Sequence, residues 1–242
     1  ISSYDEPTVV LRLEDKLESY VFQQIIQIEN TYINYLKELP FCSNETNDLW
    51  LSCLSQLNEY TTRVENFALR IPDFGTLNSE DKSLLIHSST HSVILLCLCF
   101  QSARFRTLTN DSNWNYLNIS TNSAFGQNLQ QNFPFFFDIN QLTYLFEREL
   151  QILELDDKEI GLMIVLLITS IANSKLNEIE KIEKIQENYF CALYDYMSAK
   201  RGIDNKDYFI LTIQIPFIHR INSIISTNIV NFKCSLSYNT SM

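Results

Sequence analysis

Apolar residues recur along most of this chain every three or four positions, the spacing of one helix face rather than the alternation of a strand. From Leu11 to Leu39 the stripe is Leu17, Val21, Ile25, Ile28, Tyr32 and Leu36, an amphipathic helix expected to clasp the outside of the domain and to end at Pro40. Phe41 to Asn47 is polar and loop-like. Asp48 can cap a helix running through Trp50, Leu54 and Leu57 to Val64, Phe67, Ala68 and Ile71, where Pro72 disfavours further helical geometry. A tight turn from Pro72 to Leu77 follows. Asn78 then caps a second helix, with Asp81 in a capping-box position, and this helix carries eight consecutive apolar or thiol residues, Val93 to Phe100. A helix apolar on every side must be buried on every side, so it needs other helices above and below it. The pattern therefore predicts an all-α, layered domain.

Beyond it, Arg104 to Asn132 is polar and rich in asparagine, and its pattern specifies neither strand nor coil. Asp138 or Asn140 starts a helix with Leu142, Leu145, Phe146, Leu150 and Leu153 on one side. Asp156 and Asp157 precede Glu159 at another helix start, where acidic groups suit the positive end of the dipole, and Gly161 to Ile171 reads as buried. Ile179, Ile182, Ile185 and Tyr189 alternate with Glu and Lys in an amphipathic helix. The last helix runs from Asp207 to about Lys233 with Pro216 inside it, and residues 1–10 read as loose.

Composition fits one large helical domain: only four glycines and five prolines in 242 residues speak against a turn-rich β fold. A net charge of -11 excludes a segment that grips nucleic acid through basic patches. Cysteines at 42, 53, 97, 99, 191 and 234 lack C-x-x-C spacing and read as reduced thiols, and the sequons at Asn44, Asn110, Asn118 and Asn239 read as chance matches in an Asn-rich chain. The apolar runs Val93 to Phe100 and Leu162 to Ile168 fall short of the roughly 20 residues that span a bilayer, and no signal peptide is visible. Because the chain begins with Ile1, it reads as a domain of a longer protein.

Catalytic chemistry finds little footing. His87 and His91 stand four apart on one helix face, but no glutamate follows His87 as in H-E-x-x-H and no third metal ligand is evident; one histidine is expected at the surface and one near the core. His219 has no nucleophile partner in sequence.

The stretch FALRIPDFGTLNSEDKSLL, from Phe67 to Leu85, resembles the signature of nuclear-receptor ligand-binding domains. LELDDKEIGL (Leu153 to Leu162), KIQEN (Lys184 to Asn188) and PFIHRINSIISTNIVNFK (Pro216 to Lys233) follow in the family's order, so the resemblance covers most of the chain. Trp50, Pro216 and the ending soon after Asn231-Phe232-Lys233 most resemble Rev-erb and its ecdysone-induced insect counterpart. The resemblance implies a single domain over 1–242, a three-layer antiparallel helical sandwich with a small β-turn region within Arg104 to Asn132. It also implies a non-enzymatic nuclear transcription factor whose DNA contacts lie outside this chain.

By position, the resemblance places Cys53, Leu57, Tyr60, Thr61, Val64, Leu96, Phe100, Leu142, Leu145, Phe146, Ile221, Asn222 and Ile225 around a pocket for a small lipophilic ligand. The alternative is a pocket filled by its own side chains, leaving a dimerisation scaffold. A coregulator groove would be formed by Glu65, Leu69, Lys82, Ser83, Ile86 and His87, with Leu69 and His87 standing at the family's lysine positions and Arg70 or Lys82 as partial replacements. A buried Glu–Arg pair of related receptors maps to Ser92 and Asn173, both uncharged here. Rev-erb-like haem binding would need a thiolate, here Cys42, and a histidine where this chain has Ile225; with that ligand missing, no cofactor is expected. After Lys233 the remaining residues lack the acidic and bulky apolar pattern of an activation helix, so the domain is expected to repress or stay silent, to bind corepressor peptides, and to dimerise with another nuclear receptor through its last helix.

Overall fold

The computed structural model describes residues 17–38, 49–109, 135–170, 175–202 and 206–239, with side chains described except at 49–58, 106, 109, 135–140, 225 and 228–239. Cys42, Asn173 and most of the asparagine-rich stretch, including its expected β-turn, lie outside these residues. Seven α-helices are present among them: α1 (Ser19–Tyr35), α2 (Leu49–Ala68), α3 (Ser79–Thr109), α4 (Phe135–Leu153), α5 (Asp157–Ile168), α6 (Ile179–Arg201) and α7 (Lys206–Asn239). They stack in three layers. The middle layer holds α3, α5 and α6; α1 and α2 lie on one side, α4 and α7 on the other.

The middle layer is what the sequence requires to be buried. Every residue of α5 from Glu159 to Ile168 is buried. In α3 the stretch Val93 to Phe100 is buried apart from half-buried Leu98. By length and composition, Ser79–Phe105 would pass for a membrane span, but 61% of its most apolar window is already buried inside the protein. It is the core helix of the domain.

Helix α1 lies in an outer layer with its expected stripe turned onto the core. Ile25, Ile28 and Tyr32 have no exposed surface, because α1 sinks against α5. Gly161 makes this possible: a Cβ there would stand 3.0 Å from Ile28 Cγ2 and 3.5 Å from Tyr32 Cβ. Charge then ties the start of α5 to α1 and α3, with Lys158 Nζ 2.7 Å from Glu29 and with Lys37, just past α1, and Arg104 of α3 both on Asp157 at 2.5 and 2.8 Å.

Several boundaries also shift. Helix α3 continues to Thr109, into the stretch whose pattern is silent, α4 starts at Phe135 rather than Asp138 or Asn140, and α7 continues past Lys233 to Asn239. Pro216 sits inside α7 without ending it. Helix α5 stops at Ile168, capped by Thr169, three residues before the expected Ile171.

Candidate functional site

The turn after α2 brings its last residues beside the start of α3. Ile71 and Phe74 are buried, Asp73 takes a left-handed φ of 66°, and Phe74–Thr76 forms one 3-10 turn that delivers the chain to Asn78. Asn78 caps α3 as expected, its Oδ1 accepting from Asp81 N at 2.8 Å. Asp81 does not complete a capping box on its own helix. Its carboxylate instead reaches the chain just before α6, accepting from the amides of Asn177 at 2.9 Å and Glu178 at 2.7 Å. Glu178 answers in the other direction, accepting from Asn78 N at 2.6 Å and Asn78 Nδ2 at 3.0 Å. Two helix N-termini thus satisfy each other's orphan N–H groups across about a hundred residues of sequence, and each positive helix end faces a carboxylate.

The hydrogen bonds of this latch favour the ionised form of both acids. Burial pushes the Asp81 carboxyl up, but the Asn177 and Glu178 amides and the Asn78 and Asn177 side chains outweigh it and hold the group below its usual range. Glu178 is also held low, first by the Lys181 ammonium and then by the Asn78 amide.

The residues expected to form a groove fall on either side of the turn. Leu69 is 51% exposed while Ile86 is 9% exposed, so the exposed apolar surface at these positions is carried mainly by Leu69. Glu65, Ser83 and His87 are exposed. Neither expected replacement for the missing lysines is available there. Lys82 Nζ donates to Gly75 O at 3.3 Å, inside the turn. Arg70 is drawn towards α1, its guanidinium 4.4 Å above the Tyr35 ring and donating to Asn66 O at 2.7 Å.

Of the residues expected around a pocket, Tyr60, Val64, Leu96, Phe100, Phe146 and Ile221 converge from α2, α3, α4 and α7 into one core, each with 2% exposure or less. Thr61 and Leu142 are half-buried. Asn222, also half-buried, faces α3, its amide 3.5 Å from Ser88 O. Cys53, Leu57 and Ile225 lie on helices whose side chains at these positions are outside the described set. Leu145 is a correction: it is 52% exposed, because α4 turns Thr143 and Glu147 inward beside Phe146 and Leu150. Both polar residues are missed by an apolar periodicity. A buried carboxylate on α4 is visible only in three dimensions.

His219 points from α7 to α3, its Nδ1 3.5 Å from Ser92 Oγ, and burial holds its pKa below the ordinary histidine value. Ser92, where related receptors carry a glutamate, is fully buried. His87 is exposed and His91 half-buried, as the sequence implies, and burial followed by the neighbouring His87 lowers the His91 pKa. No group of three or more metal-ligating side chains occurs among the described residues. The donor set does not fit haem, since Ile225 occupies the histidine position and His219 is turned to Ser92.

A sequence model described as the ligand-binding domain of nuclear hormone receptor matches residues 50–229, from the second residue of α2 into the last third of α7. The chain belongs to this nuclear hormone receptor family. Its members are non-enzymatic, and the all-α three-layer sandwich is that of a receptor ligand-binding domain. Nuclear receptor ROR-beta of Homo sapiens is 25% identical over 218 residues, covering 89% of this chain and 44% of the relative. Retinoic acid receptor gamma of Xenopus laevis is 28% identical over 57% of the chain and 27% of its own length. Nuclear receptor subfamily 1 group D member 2 of Rattus norvegicus is 22% identical over 77% of the chain and 31% of its own length. The chain spans less than half the length of these receptors.

Proposed function

We propose that this receptor domain belongs to a nuclear transcription factor of the Rev-erb type, that it holds coregulator helices between α2 and α3, and that it represses or stays silent. The observation that carries the groove reading is the turn after α2, which sets exposed Leu69 beside exposed Ser83 and His87 at the start of α3. The groove also lacks both end lysines, with Leu69 and His87 in their places, so apolar contact must supply more of the grip. Longer corepressor helices gain more from that than short coactivator motifs. Peptide titrations should therefore rank corepressor motifs as tighter binders than coactivator motifs; the opposite order refutes the reading. Because Ile86 is nearly buried, Ile86→Arg endangers the fold as well as binding. Exposed Leu69→Asp is the cleaner probe, expected to weaken binding about tenfold or more with the melting temperature unchanged.

A ligand pocket filled by the protein itself is favoured by one observation. Val64, Leu96 and Ile221 have no exposed surface, whereas a cavity wide enough for water would expose part of its lining. In this reading the domain works as a coregulator and dimerisation platform. The dimer partner, another nuclear receptor, would meet Phe209 and Ile213, one turn apart on α7 and 61% and 66% exposed. Native mass spectrometry reads both points. A co-purified lipid mass contradicts the filled pocket, and a dimer that persists in Ile213→Asp contradicts this interface.

A further inference from the structure

Along the outer face of α1 runs an open cleft of about 460 Å³, lined by Gln23, Gln27, Asn30 and Asn34, with Tyr35 and Arg70 at one end. The four amide side chains follow one another at i, i+4, i+7 and i+11, a single helix face, and all four are exposed. Gln27 Nε2 donates to Arg70 O at 3.2 Å, which fastens this face to the end of α2. Arg70 is exposed, and its guanidinium is oriented by the Tyr35 ring 4.4 Å beneath it. Arg70 directly follows Leu69 in the chain, so the cleft begins where the apolar strip of the groove ends.

The lining chemistry selects a kind of occupant. Primary amides present donors and acceptors together without charge, which suits the alternating N–H and C=O groups of an extended main chain. From Gln23 to Asn34 the ladder covers roughly 16 Å along the helix axis, the reach of about five residues of extended chain. Among the described residues Arg70 is the one charged group in the lining. An exposed guanidinium held over the Tyr35 ring marks the point for a carboxylate, while one cation offers too little to hold a nucleic-acid backbone.

We propose that this cleft is an accessory docking site for the extended, acidic segment that flanks a coregulator helix seated between α2 and α3. The inference rests on the groove reading above and adds a second contact to it, on α1, which compensates for the polar grip lost at Leu69 and His87. Core helix and flank then bind as linked modules, the flank raising affinity because the helix delivers it to the cleft.

The test compares two synthetic peptides by fluorescence anisotropy: a corepressor-motif helix alone, and the same helix with Asp- and Glu-containing extensions of about five residues at both ends. On the wild-type domain the extended peptide is expected to bind about tenfold more tightly than the core. Arg70→Ala and the double variant Asn30→Ala/Asn34→Ala should abolish that gain while leaving the core peptide's Kd in place, and Leu69→Asp should weaken both peptides. A core peptide that binds but gains nothing from its flanks, or gains equally on all variants, overturns the cleft assignment alone. A core peptide that fails to bind the wild type brings down the groove reading and this inference together. Sedimentation showing self-association that Arg70→Ala removes assigns the cleft to a second copy of the chain instead, and overturns the proposal.

Discussion

Arg201→Met should lower the unfolding free energy by about 3 kcal/mol, the low end of what breaking a buried ion pair costs. Glu159, on α5, has no exposed surface, and Arg201 Nη2 stands 2.7 Å from its Oε1. The same guanidinium donates through Nη1 to Leu153 O and Asp207 Oδ2, each at 2.8 Å, so one side chain joins α4, α5, α6 and the start of α7. Without it Glu159 keeps Lys200 at 3.0 Å and the Asp156 amide at 2.8 Å, which is why the low end of the range is expected. Burial first, and then Asp156, push the Glu159 carboxyl up, so the charge is already held against its preference and depends on its cations.

Removing the acid as well tests the cause. In Arg201→Met/Glu159→Leu the stranded charge is gone, and most of the loss should return. It should not return fully, because Glu159 also closes the capping box of α5 on Asp156, a hydrogen bond worth about 1 kcal/mol. Urea unfolding of the four variants gives the coupling energy. A coupling near zero would mean that Arg201 acts through Asp207 and Leu153 O alone.

How far the sequence revealed this domain depended on whether a feature lay along one helix or between two. Periodicity located the helices, and local capping chemistry marked the starts of α3 at Asn78 and α5 at Asp156, because those hydrogen bonds close within three residues. It placed α1 on the outside of the domain without its depth, since how far Ile28 sinks depends on the missing Cβ of Gly161 on a different helix. It chose the wrong member of the α4 face. Leu145 is apolar but exposed, while Thr143 and Glu147 are polar and buried, an exchange that no hydropathy pattern can report. The residues proposed for the groove came from the resemblance to a family signature, and the structure sets them on either side of one turn. The electrostatics there were not legible, because whether Arg70 serves the groove or α1 is decided by the Tyr35 ring across the interface.

The latch between α3 and α6 shows the same limit and supplies the other large effect. Asp81 occupies a capping-box position, yet its carboxylate serves the amides of Asn177 and Glu178 on the far element. Asp81→Ala leaves these two part-buried N–H groups without their acceptor, at about 1 to 3 kcal/mol for each group that water cannot fully reach. A total near 3 kcal/mol is expected in urea unfolding. Asp81→Asn keeps one carbonyl acceptor and should lose roughly half as much. The pH dependence follows from the depressed carboxyls of Asp81 and Glu178, whose ordinary values are 3.8 and 4.5. A carboxyl held low in the folded state binds its proton more readily once unfolded, so its stabilisation is complete above those ordinary values and disappears as the pH falls below them towards the folded values. The wild type should therefore lose stability below about pH 4 more steeply than Asp81→Ala, and the two curves should converge in acid. Because Lys82, Ser83 and Ile86 begin one residue beyond Asp81, a loosened α3 start should also weaken corepressor-peptide binding at neutral pH. Parallel stability curves for wild type and Asp81→Ala from pH 7 to pH 2 would show that the carboxylate's charge plays no part in the latch.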